Sequence, residues 1–569
     1  MDNKIHWHEW GKKTFEKSQK EGKPVLLNIT AVWCHWCHQM RDDCYLDSEI
    51  AETINKDFIP IKVDTDKRPD INQRYNQGGW PTTVFLTPEG RIIGGGTYFP
   101  PNDFKILLFR IAEFYKKNKT TIEREKTNFP LIKEGLSKEE KLDTKIIDNI
   151  LDALVVNFDF DCGGFGFQPK FPFPEGIEFF LLKNYKTNDS KLLKMVSINL
   201  AGMKGIEDKT EGGFFRYSVT RDWSVPHYEK MLELNAGIIK NYLHAFLLTK
   251  DKKWKDTALK TLEYVKNNLT RPGGGFYGSQ DADEEYYQKK ERAGLKKPYI
   301  DKTVYTDSSA KMASAYLDAY LILNDMYYLE TALKTIEFLL ENLIDKFMYH
   351  YFDTEKHIKG LLKDQVCMIS CLLDAFEITQ GKRFLENAEN LSKLLIETLW
   401  DKNNWGFFDK SEYKEDIGEL KTRLKPVEEN SLAAENFLRL YHLTDNEKYL
   451  ECAEKTLSIF AKSYENYGYF AANYAISLEK LFLPVNMVVV GGKDILSRNL
   501  FTTSIMIFPS LRTVKFLDFL KDKEKIKKAG YPNKPAAYVC AGNLCSRPIY
   551  KPEEIEKEIK NIIKPKVVI

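Results

Sequence analysis

Residues 30–40 read Thr30-Ala31-Val32-Trp33-Cys34-His35-Trp36-Cys37-His38-Gln39-Met40, and the first third of the chain is organised around them. The apolar run Pro24-Val25-Leu26-Leu27-Asn28-Ile29 leads in as a strand, and a helical pattern from Gln39 leads out. Cys34 and Cys37 therefore fall in C-x-x-C spacing where a strand hands over to a helix. The helix N-terminus favours a thiolate there, and the second thiol is close enough to resolve what the first attacks. On this reading Cys34 attacks and Cys37 resolves.

Three other readings fit the same letters. Cys34, Cys37, Cys44 and His38 could supply four ligands to structural zinc. Cys34-His35-Trp36-Cys37-His38 matches the c-type haem signature, which belongs to exported proteins. Two ordinary cysteines in a packed turn is the third. Gly78-Gly79-Trp80-Pro81-Thr82-Thr83-Val84-Phe85-Leu86 weighs for redox chemistry, because a Pro after a Gly-rich turn and before a strand is a candidate cis-Pro. A cis-Pro81 facing the thiol pair, walled by Trp33, Trp36 and Trp80, is the thioredoxin arrangement. No metal and no cofactor is expected.

The chain has 569 residues, too many for one core, so several domains are expected. Its formal net charge of +2 comes from 84 basic and 82 acidic residues, which gives no pull towards nucleic acid or an acidic membrane surface. Met1–Trp10 lacks a signal-peptide pattern and no 18-residue apolar run exists, so a cytoplasmic protein without a membrane span is expected. Nine cysteines in such a chain read mostly as reduced thiols. Cys44, Cys162, Cys367, Cys371 and Cys452 read as packing residues. Cys540 and Cys545 read as a strand-end pair able to approach without needing to be joined.

Residues 1–125 alternate strand and helix. Helices are expected over Trp7–Lys20, Ser48–Asn55 and Phe104–Lys117, strands over Val25–Thr30 and Phe58–Asp64, and a hairpin around Pro88-Glu89-Gly90. Residues 126–143 read as a linker. From 144 to 481 helical periods take over, and a Gly/aromatic signature recurs between helix pairs. It stands at Gly163-Gly164-Phe165, Gly212-Gly213-Phe214, Gly274-Gly275-Phe276, Phe347-Met348-Tyr349, Trp405-Gly406-Phe407 and Tyr467-Gly468-Tyr469, at intervals of 49 to 73 residues. Six such turns predict six helical hairpins closing into an (α/α)6 toroid with the turns at one mouth. Residues 482–569 return to a small α/β segment. The whole is a multidomain chain: α/β, then all-α, then α/β.

These motifs resemble the spermatogenesis-associated protein 20 family. The likeness is carried by Trp33 to His38, Val63-Asp64 with Arg68-Pro69-Asp70, Gly78 to Pro81, Gly95 to Pro100, Pro169 to Pro172, Phe215-Arg216-Tyr217, Trp223 to Leu232, Asp281-Ala282-Asp283 and the Cys540 to Cys545 segment. It implies a thioredoxin fold followed by a toroid of the kind found in glycosidases and sugar 2-epimerases. Three departures stand where the toroid mouth is expected, one of them a shorter segment after Asp283. Glu233-Leu234 replaces the usual Tyr-Asp, and Glu428-Glu429-Asn430-Ser431 replaces a Pro-Ser-Gly-Asn-Ser pattern.

Two sites are therefore expected. One is the Cys34/Cys37 pair with Pro81, Trp36 and Trp80, acting on a protein disulfide. The other is a pocket at the toroid mouth in which His227, Asp281 and Asp283 act on a small polyhydroxylated ligand. Arg216, Tyr217, Trp223, Glu229 and Asp364 line that pocket, because carboxylates and a His around aromatics suit sugar acid–base chemistry. The competing readings are a non-catalytic scaffold with a sensing or structural thiol module, and a sugar epimerase or hydrolase with an inert thiol pair.

Overall fold

The computed structural model describes residues 4–124, 141–542 and 544–563. The bulk of the expected linker, 126–140, lies outside the described residues. The chain divides into two compact units. The first holds residues 4–124 with two excursions from later in the chain, 279–301 and 409–424. The second holds the remaining residues, so the expected run 144–481 is interrupted twice.

In the first unit α1 (Lys12–Glu21) precedes β1 (Val25–Thr30), followed by α2 (His35–Met40), which continues as a π turn over Arg41–Tyr45. Next come α3 (Ser48–Asp57), β2 (Ile59–Asp64), α4 (Pro69–Tyr75), β3 (Thr82–Leu86), β4 (Ile92–Gly96) and α5 (Pro101–Arg124). Helix α1 starts later than expected because His8 is held extended beside β2, its N–H on Pro60 O and its carbonyl on Lys62 N–H. The sheet order is β2-β1-β3-β4, with β1 parallel to β2 and antiparallel to β3. Side chains alternate across it. Val25, Leu27 and Ile29 join Ile59, Ile61 and Val63 in one core, while Leu26 joins Phe85, Met40 and Cys44 in the other. The Trp80–Pro81 peptide is cis, as expected, and so is Gln168–Pro169 in the other unit.

The 409–424 excursion is bolted to α4 and the β3–β4 turn. Arg74 pairs with Asp409 at 2.7 Å and donates to the Thr422 carbonyl. Tyr75 Oη donates to Gly90 O and accepts from Glu419 N–H. A Cβ on Gly90 would lie 2.8 Å from Gly418 Cα, so this approach requires glycine.

The second unit begins with α6 (Lys145–Asn157), α7 (Pro174–Thr187), α8 (Ser190–Met203), α9 (Leu232–Thr249) and α10 (Lys252–Tyr264). The chain crosses to the first unit for the short α11 (Glu284–Tyr287) and returns with α12 (Thr306–Leu323), α13 (Met326–Asn342), α14 (Leu362–Thr379), α15 (Lys382–Thr398), α16 (Val427–Thr444), α17 (Glu447–Ser458) and α18 (Ala472–Phe482). Helices α7, α9, α12, α14, α16 and α18 each touch the next, and α18 touches α7, so six inner helices close a ring. The toroid is therefore closed. Among the described residues no helix is long and apolar enough to cross a membrane.

Two kinds of turn build the ring. Inner-to-outer turns place a left-handed residue before the next helix: Asn188, Lys250, Asn324, Gln380 and Asp445, at φ between 56° and 61°. In four of the five the following Asp or Asn caps the outer helix: Asp189, Asp251, Asp325 and Asn446. Outer-to-inner turns are the Gly/aromatic ones. Here buried lysines fasten the turn: Lys170 on Asp159, Lys230 on Asp208 and Lys425 on Asp401, each also donating to turn carbonyls. An amide one turn into the inner helix binds the backbone N–H and C=O of the same turn, as Asn235 does at Phe214, Gln365 at Met348 and Asn430 at Phe407.

The C-terminal strands Val485–Gly491, Arg512–Asp518 and Ala536–Ala541 pack in the same unit. Cys540 and Cys545 are joined as a disulfide, which corrects the expectation that they need not be. They sit directly opposite each other in an antiparallel ladder, where paired Cβ atoms are neighbours.

Lys230 and Asp208 are both fully buried, so Lys230→Met strands a carboxylate. Urea denaturation should show a loss of about 3–5 kcal/mol, partly restored by adding Asp208→Asn. Lys12→Met, at an exposed pair, should change stability by less than about 1 kcal/mol.

Candidate functional site

The thiol pair sits where β1 ends. Cys34 is the N-cap of α2, and its Sγ accepts the Cys37 N–H at 3.3 Å. Both cysteines are reduced and buried. Burial pushes the Cys37 thiol up, but hydrogen bonds from Cys34, Thr30 and the Ala31 backbone outweigh it, and Cys37 ends more acidic than an ordinary thiol. Asp64 opposes them; burial pushes its own carboxyl up to about 6. Cys44 is pushed up to about 11 by burial and donates to Phe99 O, so it is a packing residue. Trp33 Nε1 donates to Asp66 Oδ2 at 2.6 Å, and the Trp33 and Trp80 rings meet edge to face at 5.7 Å. Trp36 is exposed beside Tyr98.

The 279–301 excursion lies against this site. Ala282 N–H donates to Trp33 O at 3.4 Å, His38 Nε2 stands 3.8 Å from Asp281 Oδ2, and His35 Nε2 stands 4.0 Å from Glu284 Oε1. Burial lowers the His38 pKa, and its Nε2–H donates to Val32 O at 3.1 Å. Beneath them is a cavity of about 1280 Å³ lined by Cys37, Pro81, Asn28, Lys62, Asp64 and Tyr299, among others.

The residues of the second expected pocket are divided between the two units. Asp281 belongs to the thiol-bearing unit, and so does Asp283, which caps α11. The cause is local: Ser279–Gln280 pairs with Ile300–Asp301, and that hairpin carries the Asp281-Ala282-Asp283 turn to Trp33. His227 stays in the helical unit, stacked on Tyr217 at 4.5 Å with Nδ1 on Glu229. Arg216 lies over the Tyr217 ring. Trp223 is a core residue, fully buried and donating to Cys162 O. Asp364 pairs with His350 instead.

What gathers in the helical unit is a charged ring, of which the sequence reading places Glu233, Asp364, Glu428 and Glu429 at the toroid mouth but not Glu175, Asp307, Lys311 or Lys363. The second residue of five inner helices is charged: Glu175, Glu233, Asp307, Lys363 and Glu428. Lys311, one turn further along α12, and Lys363 both reach Glu233, at 2.6 and 2.9 Å; Lys363 also reaches Asp307 at 3.1 Å. Glu429 and the buried His350–Asp364 pair complete the group, and Asp307, His350 and Asp364 hold ligand atoms within 4.8 Å of one another, a set that could bridge a cation. Burial and the lysines compete here. Glu233 is held far below the carboxylate range because Lys311 and Lys363 overcome its burial. Glu175 and Glu429 are pushed up to about 7, by burial and then by Glu428.

The architecture and the thiol placement define a thioredoxin-like domain joined to a six-hairpin helical toroid. A family model described as Thioredox_DsbH, protein of unknown function DUF255, matches residues 1–132. Spermatogenesis-associated protein 20 of Homo sapiens is 26% identical over 711 aligned residues, covering 98% of this chain and 90% of its own. An uncharacterised Caenorhabditis elegans protein is 24% identical over 98% of this chain and 95% of its own. The chain thus resembles the spermatogenesis-associated protein 20 family over nearly its full length. Among solved structures, a sugar epimerase from a ruminal bacterium superposes with a TM-score of 0.47 at 16% identity, over 56% of this chain and 86% of that one.

A carboxyl raised from 4.5 to about 7 in the folded protein adds stability below pH 4.5, and that contribution is lost as the pH rises through 7. Glu175→Gln should therefore melt higher than the parent at pH 8, with the difference shrinking towards pH 4.5. Thermal unfolding across that range checks it.

Proposed function

We propose that Cys34 and Cys37 form a thiol–disulfide exchange centre. The observation that carries this reading is the Cys37 N–H on Cys34 Sγ at the start of α2, beside cis-Pro81. One thiolate attacks a disulfide, displacing a thiolate and forming a mixed disulfide. The other thiol then attacks the bound protein sulfur, releasing the second product and leaving a Cys34–Cys37 disulfide. Two electrons pass from the protein to the substrate, and the two thiol protons leave with the products. Asp64 tunes the exchange, since its charge holds Cys37 less acidic than it would otherwise be.

We further propose that the helical unit binds a small polyhydroxylated ligand. The charged ring around Glu233, Lys311 and Lys363 supports this better than the His227 stack does, because it offers acceptors and donors together. A panel of monosaccharides and disaccharides should include one that raises the melting temperature, and Glu233→Ala should remove the shift. No shift at millimolar concentration would end this reading.

Equilibration in thiol–disulfide redox buffers poised across about −100 to −300 mV should oxidise the Cys34/Cys37 pair with a midpoint within roughly −120 to −270 mV. A pair that stays reduced throughout would sink the exchange reading. Asp64→Asn should lower the pH midpoint for alkylation of Cys37.

A further inference from the structure

Resting on the exchange reading, we propose that the Cys540–Cys545 disulfide is a second exchange site, which takes two electrons from the Cys34/Cys37 dithiol of another copy of this chain. Of the nine cysteines the other seven are reduced, and Cys44, Cys367 and Cys371 are buried.

The disulfide stands where another molecule can reach it. Its sheet runs Arg512–Asp518, Val485–Gly491, Ala536–Ala541, Leu544–Cys545, so the last strand is an edge. Leu544 and Cys545 are exposed, and Cys540 is half-buried. Gly542, in the turn between the strands, takes a left-handed φ of 56°. The sulfurs thus ride near the tip of a two-stranded ribbon, whose strands lie roughly 5 Å apart. Cys34 is only 3% exposed, so a disulfide that reaches it has to project from its surroundings on a narrow support of this kind.

Reduction would not release the ribbon. Ser546 N–H donates to Val539 O at 2.8 Å, and Ala537 and Ile549 each donate to the other's carbonyl at 2.9 Å. Cys540 and Cys545 are register-opposite in the same ladder. The backbone therefore keeps the two thiols facing each other once the bond opens, and the pair can close again on an oxidant. As a staple the bond does little, because its cysteines are 5 apart in sequence and so short a loop gains least from a cross-link.

Cys34, whose Sγ accepts the Cys37 N–H, is the attacking thiol. Its thiolate attacks the exposed Cys545 sulfur, forming a Cys34–Cys545 mixed disulfide and releasing the Cys540 thiolate. Cys37 then attacks the Cys34 sulfur and releases the Cys545 thiolate. One chain ends with a Cys34–Cys37 disulfide and the other with a Cys540/Cys545 dithiol. Two electrons have passed between the chains, and the two protons lost by the donor thiols end on the acceptor thiols.

The test mixes two full-length variants, circular dichroism establishing that each folds. The donor carries Cys540→Ser and Cys545→Ser and is reduced at Cys34 and Cys37. The acceptor carries Cys34→Ser and Cys37→Ser with Cys540–Cys545 closed. After acid quenching and alkylation, peptide mass spectrometry should find the acceptor disulfide opened and the donor pair closed in equal amounts, at least about tenfold faster than with a donor that also carries Cys34→Ser. If the donor fails to fold, the reduced parent chain takes its place against an isotope-labelled acceptor. An acceptor disulfide that resists millimolar dithiothreitol in the folded chain is a closed staple and would overturn the proposal, as would equal rates with and without Cys34. Transfer seen within the parent chain but never in the mixture would overturn the second copy as donor. A donor pair that titrates in redox buffer yet leaves the acceptor untouched overturns this proposal alone, whereas a pair that never oxidises removes the exchange reading as well.

Discussion

Strand β1 is buried on both faces, and the thiol site depends on how it meets that constraint. Its odd positions, Val25, Leu27 and Ile29, fill an apolar core. Its even positions begin with Leu26 and then turn polar at Asn28 and Thr30, and β2 does the same with Lys62 and Asp64. Burying polar side chains costs free energy unless they find partners or surround space that water or a ligand can fill. Here they floor a cavity under α2. The hydrogen bond from Thr30 helps to acidify Cys37, and the half-buried Asp64 charge holds that acidity in check. One face of one strand pair thus sets both the shape and the electrostatics of the site.

The toroid solves a different problem. Each Gly/aromatic turn must deliver the chain from an outer helix to an inner one, leaving backbone groups that nothing in either helix can satisfy. A buried lysine and an amide one turn into the next helix satisfy them at several turns, and each also fixes where the inner helix begins. Because the starts are fixed, the second residues of the inner helices come together. The charged ring is therefore a consequence of the turn chemistry rather than a feature of any one loop.

Much of this was open to sequence reading. The C-x-x-C at a strand–helix junction, the cis-Pro81 and the six-turn count were legible because each is a local pattern with a mechanism. The inner-to-outer turns were equally local. Lys250-Asp251 and Asn324-Asp325 put a left-handed residue before a capping aspartate, but without a glycine they carry no strong signal. The alternation Asn28, Thr30 against Lys62, Asp64 was also readable, as polar residues at every second position of otherwise apolar strands. What could not be read was the return of residues 279–301 and 409–424 to the first unit. That depends on bonds such as Ala282 to Trp33 and Arg74 to Asp409, which span hundreds of residues and leave no periodic trace. Asp281 is for this reason found packed with the thiol pair inside the first unit.

The two ends of the inner helices show how charge is divided between structure and site. Further along the inner helices, Lys240, Arg439 and Lys480, with Arg512 of the strand Arg512–Asp518, face Asp318, Asp374, Glu377 and Glu435 around a cavity of only about 60 Å³. His244 belongs to the same network. Burial alone would lower its pKa, but Glu178 and Asp318, one on each ring nitrogen, push it up to about 9. Here four cations face four acids, so the network is closed and structural. The N-terminal ends favour anions through the helix dipole, and they collect Glu175, Glu233, Asp307, Asp364, Glu428 and Glu429 against Lys311 and Lys363. Six carboxylates cannot all stay ionised beside two lysines, and Glu175 and Glu429 respond by holding their protons to about pH 7. One set of helices thus carries a balanced end and an acid-rich end: the first has its partners already, and the second holds protons up to near neutral pH.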